Sequence, residues 1–315
     1  MSFEVIKPGL LTLLQDGGRY GYQHLGLTTG GPMDEHAFAW ANHLLGNNMN
    51  AAQLEITFGM LSLRATAETT IALTGADLEA RLNGRAIQPW NTYRLQPGDL
   101  LEFNTPQTGL RAYLAVADGF SAPTTLGSCA TVAREGLGGV RGGGAKLAQG
   151  DQLPFTPCTS QLEARVPAWA IPDYSRDLEV GVMLGYQHRS FPRAELNKLF
   201  SSPYQVSQHI DRMGYRLSGA AVHSELNGLV SEGIAFGAIQ IPADGQPIVL
   251  MKDRQTIGGY PKVGSLSALG AGQLSQRGPG SSIRFYPMDV AEAEAERMIF
   301  NHAFSHPIHS TAARH

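Results

Sequence analysis

Cysteine is scarce: Cys129 and Cys158 are the only two in 315 residues, far apart and outside any CxxC spacing. That excludes a disulfide framework and a cysteine-held structural zinc, and it points to a reducing, cytosolic compartment. Charge is also sparse, at 16% of residues with a net charge of −3, so nothing in the electrostatics draws nucleic acid or anionic lipid. No apolar run approaches the roughly 18 to 20 residues that a membrane span needs. The opening MSFEVIKPGLLTL carries Glu4 and no secretory-signal pattern.

Several chemical signatures are missing too. No Gly-x-Ser-x-Gly elbow supports serine-type acyl transfer; LGSCAT at 126–131 lacks it. None of the ten histidines forms an HExxH or comparable metal-ligand pair on one helix face; His302, His306 and His309 cluster at the chain end. Only His24 and His209 stand near notable motifs. The loop GGVRGGGAKL has Gly139 and Gly144 at phosphate-loop spacing, but Ala145 intervenes before Lys146 and no hydroxyl residue follows. A Walker loop needs Gly-Lys-Ser/Thr, so this reads as a glycine loop between strands. Met251-Lys252 has the dipeptide of a biotin attachment site, yet Asp253 follows where a small or apolar residue belongs, and no biotin is expected on this chain.

What is abundant is glycine (37) and proline (18), which suits many short strands joined by tight turns. MLSLRA, TTIALTG, RAYLAVADG, DLEVGVMLG, GAIQIP and PIVLM are short β-branched or aromatic runs closed by turn residues. Helix signals are few. MDEHAFAWANHLLGNN offers Asp34 as N-cap, an apolar face and Gly46 as stop; FPRAELNKLF (191–200) and the closing VAEAEAERMIFNHAF are the others. The chain also repeats itself. Arg19-Tyr-Gly21-Tyr22, Glu55 with Phe58-Gly59, Ile71–Leu73, Pro97-Gly98 and Phe103 recur in order as Arg212-Met-Gly214-Tyr215, Glu232 with Phe236-Gly237, Ile248–Leu250, Pro279-Gly280 and Phe285. The expected organisation is mainly β: two related barrel domains over 1–160 and 177–290, a proline-rich linker over 161–176, and a C-terminal helix and tail over 291–315.

Two segments carry candidate chemistry. In LLQDGGRYGYQHLGLTTGGPMD, Asp16 and Arg19 flank two glycines ahead of a helix N-terminus, a setting that suits anion binding. The alternative is that the two charges pair across a tight turn, as the recurrence at Asp211-Arg212 suggests. The second segment is IVLMKDRQTIGGYPKVG, where an apolar strand ends abruptly in charge. Asp253 can serve as acid or base, Lys252 and Arg254 as cations for a developing oxyanion, and Thr256 and Tyr260 as polar contacts; these five are the candidate catalytic residues. Gln240, Gln255, Gly258, Gly259, Asp16, Arg19 and Arg212 are the candidate substrate-binding residues.

The runs QDGGRYGYQHLG, GPMD, LEITFG, GSCATVAREGLGG, DRMGYRLSG and GAIQIPADGQPIVLMKDRQTIGGYP, in register from about residue 3 to 287, resemble the KipA-type carboxyltransferase-domain family. That family includes the C subunit of bacterial 5-oxoprolinase and allophanate hydrolase subunit 2-like proteins. The resemblance implies two cyclophilin-like β-barrels, KipI-like and LamB/YcsF-like proteins as partners, and lactam opening of 5-oxoproline to glutamate with ATP hydrolysis. The ATP site is then expected on a partner or at an interface. Two alternatives go with the family: carboxyl transfer from carboxybiotin to urea or another amide, and a non-enzymatic module that binds a KipI-like kinase inhibitor.

Overall fold

The computed structural model describes residues 1–158, 163–226 and 229–305; His306 and His309 lie outside them. The chain divides into two compact units. One comprises Met1–Arg19 and Gly30–Ser175, joined by Phe304; the other comprises Tyr20–Thr29 and Arg176–Ala303. Among the described residues no helix is long and apolar enough to cross a membrane.

In the first unit two sheets share one core. The six-stranded sheet runs β11 (Gln152–Pro154), β1 (Ser2–Pro8), β4 (Leu61–Ala65), β9 (Leu100–Glu102), β6 (Arg81–Leu82), β7 (Arg85–Ala86). The five-stranded sheet runs β2 (Leu11–Gln15), β3 (Gln53–Thr57), β10 (Thr108–Val116), β5 (Thr69–Asp77), β8 (Asn91–Leu95). Phe3, Val5 and Leu63 from the first sheet and Leu54, Ile56, Leu73 and Leu114 from the second are buried in the same cluster. Each such side chain contributes about 1.5–3 kcal/mol by leaving water. Helix α1 (Glu35–Leu45) packs against β5 and β10. It begins where the sequence indicates: the Asp34 carboxylate accepts from Ala37 N at 3.2 Å, and Gly46 ends it in the left-handed region at φ 67°.

The second unit is a closed seven-stranded barrel in the order β12 (Leu178–Leu184), β19 (Lys262–Leu266), β16 (Ala238–Gln240), β17 (Ile248–Leu250), β14 (Gly214–Gly219), β13 (Pro203–Ile210), β20 (Ser282–Met288). Its pairings are antiparallel except β12 with β20, which run parallel and close the ring. A short antiparallel pair, β15 (Glu232–Gly233) with β18 (Ile257–Gly258), forms a separate two-stranded sheet. Strand alternation assigns the two faces. Tyr215, Val249 and Ile239 oppose one another across β14, β17 and β16 and are buried in the barrel, as are Tyr204 and Phe285. The intervening residues Arg216, Ile248 and Gln240 therefore face outward.

The mainly β expectation holds, with the second unit a closed barrel and the first built from two sheets. Helices α2 (Arg193–Ser201) and α4 (Val290–Ala303) fall in the segments that read as helical. Helix α3 (Ala268–Ser275) is not signalled by the sequence, because its ALGAGQLS contains two glycines that weaken helix propensity. It forms because Ser267 caps it, accepting from Gly270 N at 3.0 Å, and because Ala271 and Leu274 are buried.

Candidate functional site

The charged block that follows β17 is buried. Beyond the end of the strand, Met251 N donates to Met213 O at 2.9 Å and Asp253 N to Arg212 O at 2.7 Å, so the pairing with the chain before β14 continues. This sets the Asp253 carboxylate opposite the Arg212 guanidinium. Nε donates to Oδ2 and Nη2 to Oδ1, each at 2.9 Å, with Arg212 5% and Asp253 6% exposed. A bidentate, charge-assisted pair of this kind is rigid and strong. Arg254 donates from Nε to Ile234 O at 3.1 Å and from Nη1 to Met251 O at 3.2 Å. Burial pushes its pKa down, opposed by Tyr20 and Asp253. Lys252 is buried with Nζ 4.3 Å from the centre of the Phe236 ring, an attractive cation–π position. Lys252, Asp253, Arg254 and Arg212 thus form a clasp under the loop.

Past Arg254 the chain turns outward. Gln255 and Thr256 are half-buried, and Gly259 and Tyr260 are exposed. Here the structure opens a cleft of about 640 Å³ on the outer barrel face, lined by Gln240, Gln255, Tyr260, His209, Asp211 and Arg216 over a floor that includes Ile248 and Leu250. Gln240 is 1% exposed, and its Nε2 has no hydrogen-bond partner among the described residues. A buried donor left unmade costs about 1–3 kcal/mol, and Gln240 is among the residues that line the cleft. Gly258 makes room for it: a Cβ there would stand 2.5 Å from Ile234 Cδ1 and 2.9 Å from Gln240 Nε2. Asp211 is fixed by its own turn, with Oδ1 accepting from Met213 N at 2.7 Å and Gly214 N at 3.0 Å. Of the twelve sequence candidates, the cleft gathers Gln240, Gln255 and Tyr260, with Gly258 packed behind Gln240.

Asp16 and Arg19 belong to the other unit, and they do not pair with each other across the turn. Asp16 accepts from Gly18 N at 2.9 Å, Ser128 Oγ at 2.6 Å and Cys129 N at 2.7 Å. Arg19 donates to the carbonyls of Thr125 (2.9 Å), Ser128 (3.1 Å) and Ala130 (3.4 Å). Both side chains are engaged by the segment TLGSCA, where the cation satisfies buried carbonyls and the anion satisfies an amide and a hydroxyl. Burial, reinforced by Asp16, pushes the Cys129 thiol up to about 12, so it stays neutral. The glycine loop at 138–144 is scaffold as well: a Cβ on Gly138 would come within 2.0 Å of Ala130 O, and Gly138 bridges to Gly143 rather than opening a helix.

Two further polar clusters, one buried and one near the surface, lie outside the candidate site residues. Glu55 Oε2 accepts from Tyr113 OH (2.7 Å) and Met33 N (2.8 Å), with Arg111 Nε 3.9 Å from Oε1, while Asp34 Oδ2 accepts from Tyr174 OH at 2.8 Å. Burial, with the Glu55 and Asp34 charges, holds the Tyr113 pKa well above its ordinary value. The signals of this cluster in the sequence are the recurrence of Glu55 ahead of Phe58-Gly59 and the placing of an acid between Leu54 and Ile56. The second cluster joins Glu232 to Lys262 Nζ at 2.7 Å and to Tyr186 OH, beside a pocket of about 180 Å³.

Residues 25–287 match the model of the carboxyltransferase domain, subdomains A and B. The chain belongs to that carboxyltransferase-domain family. Among its relatives, the C subunit of 5-oxoprolinase from Escherichia coli is 37% identical over 293 residues, covering 92% of each chain. The protein of the same name from Haemophilus influenzae is 32% identical over 281 residues, covering 89% of each. Among solved structures, the urea amidolyase of K. lactis superposes with a TM-score of 0.89 at 28% identity. That match takes in 96% of this family member but only 20% of the larger enzyme.

Proposed function

We propose that this protein is the C subunit of a multi-subunit, ATP-dependent 5-oxoprolinase, which hydrolyses 5-oxoproline to glutamate together with KipI-like and LamB/YcsF-like partners. The observation that carries this reading is the two-way coverage. The relatives named as the C subunit of 5-oxoprolinase correspond to this chain along 92% and 89% of both lengths, whereas the urea enzyme contains it as one part of a longer protein.

The outer cleft is the proposed lactam-binding site on this protein. Its unsatisfied Gln240 Nε2 and the neighbouring Gln255 and Tyr260 suit an amide carbonyl, a neutral group that favours hydrogen-bond donors. The Lys252–Asp253–Arg254 block, with Arg212, acts beneath the cleft by fixing the loop that carries Gln255 and Tyr260. Gly138 and Gly144 of the glycine loop pack against the chain's own backbone, and the loop lacks the Gly-Lys-Ser/Thr of a Walker motif, so the nucleotide is assigned to a partner or to an interface. No biotin is assigned to this chain either, since Lys252 is buried against Phe236.

Co-purification with candidate KipI-like and LamB/YcsF-like proteins, followed by assay on 5-oxoproline with ATP, tests the reading. Turnover is expected with all three proteins and not with this chain alone; robust turnover by the isolated chain, or none by the assembled complex, overturns it. The close superposition on urea amidolyase favours a second reading, carboxyl transfer to urea or another amide. Urea- and carboxybiotin-dependent activity in the same assay would establish that one instead. Tight binding of a KipI-like protein with neither activity would leave the regulatory module.

A further inference from the structure

Taking the cleft as the amide site, we infer that it selects a small molecule carrying both a carboxylate and an amide carbonyl, with Arg216 reading the carboxylate and Gln240 the carbonyl. The strand register places the two readers. Arg216 opposes Ile248 across β14 and β17, and Ile248 opposes Gln240 across β17 and β16. Opposed residues of antiparallel strands project to one face. At about 4.8 Å between strands, the Cα atoms of Arg216 and Gln240 stand roughly 10 Å apart. Both side chains line the cleft over that interval, with the apolar Ile248 between them as floor. A guanidinium at one end, a carboxamide N–H at the other and a hydrocarbon surface in the middle match an amino-acid lactam one ring wide.

The charges around the cleft fit the same orientation. Asp244 pairs with Arg216 Nη2, which steadies the guanidinium while its remaining N–H groups keep their capacity for a carboxylate. Asp211, whose Oδ1 is occupied by two backbone amides, offers its other oxygen to the amide N–H of the ligand. His209 and Tyr260 complete the rim. Urea offers no carboxylate to Arg216 and no ring to Ile248, so the cleft discriminates against it.

The test uses the full chain and equilibrium binding by calorimetry, backed by saturation-transfer NMR, with four probes: 5-oxoproline, 2-pyrrolidinone (amide without carboxylate), cyclopentanecarboxylate (carboxylate without amide) and urea. 5-Oxoproline is expected to bind about 10- to 100-fold more tightly than 2-pyrrolidinone, the range for one hydrogen bond to a charged group, and about 2- to 10-fold more tightly than cyclopentanecarboxylate, the range for a neutral one. Arg216→Gln should erase the advantage over 2-pyrrolidinone, and Gln240→Leu the advantage over cyclopentanecarboxylate. Melting temperatures check that both variants remain folded. No saturable binding of 5-oxoproline, urea binding as tightly as 5-oxoproline, or an undiminished advantage in Arg216→Gln each overturns the inference. The 5-oxoprolinase reading is judged separately by the reconstituted complex: an active complex whose KM is untouched by Arg216→Gln removes only the inference, and an inactive one removes the reading.

Discussion

Asp253→Ala is the most decisive perturbation, because the Asp253–Arg212 pair separates a structural clasp from a catalytic acid. The substitution deletes two 2.9 Å charge-assisted bonds and leaves a 5%-exposed guanidinium without that counter-charge. Breaking a buried pair from one side costs about 3–5 kcal/mol. A domain holds only about 5–15 kcal/mol in total, and a typical urea slope of ~2 kcal/mol per molar turns the loss into a midpoint shift of about 2 M. Replacing both partners with apolar residues of similar size, as in Arg212→Met with Asp253→Leu, removes both desolvated charges and should restore most of that stability. Urea unfolding followed by circular dichroism measures the shifts, and the reconstituted assay measures turnover. The double variant is expected to refold and to keep turnover within about tenfold of the parent, as the proposed loop-positioning role of the clasp requires. A single variant as stable as the parent refutes the clasp. A double variant that is stable but inert shows that Asp253 performs chemistry.

Three other perturbations probe the remaining geometry. Gly258→Ala drives a methyl group toward Gln240 Nε2, so 5-oxoproline binding should fall about tenfold for a stability loss of about 1 kcal/mol, read by calorimetry and thermal melting. Cys129, neutral with its pKa pushed up to about 12, should resist iodoacetamide at mildly alkaline pH in the native protein while Cys158 reacts; mass mapping with and without denaturant reports the order. Glu232 has its pKa lowered from the ordinary carboxylate value, first by the Lys262 hydrogen bond and then by Tyr186. A depressed carboxylate stabilises fully above its ordinary value and loses that contribution as pH falls through the folded one, so the acid dependence of melting should flatten in Glu232→Gln.

Much of the scaffold is legible in the sequence because period-two apolar runs and turn residues specify strands locally. Helix α1 is readable to its caps from Asp34 and Gly46 alone. The candidate site is less so. Asp253 reads as an acid or base from its type and position, and a sequence does not reveal that Arg212, far back along the chain, lies across the strand pair from it. Gln240 is legible only as a residue type; its significance comes from a neighbourhood that includes Gly258 and buries it without giving its Nε2 a partner. The recurrence of Arg19 and Arg212 likewise hides a difference, since one guanidinium is held by three carbonyls and the other by a carboxylate. Such pairings depend on contacts across the fold, which one sequence does not display.

The parallel pairing of β12 with β20 has a consequence for how the protein is made. Leu178 meets Ile283, so the ring is sealed by its first and last strands, more than a hundred residues apart in the chain. Every residue of the cleft, from His209 to Tyr260, is synthesised before the sealing strand exists. A nascent chain therefore carries the complete set of cleft side chains on an unsealed ring, with the slow long-range closure still to come. The sealed ring beneath the cleft therefore forms only once β20 has been made.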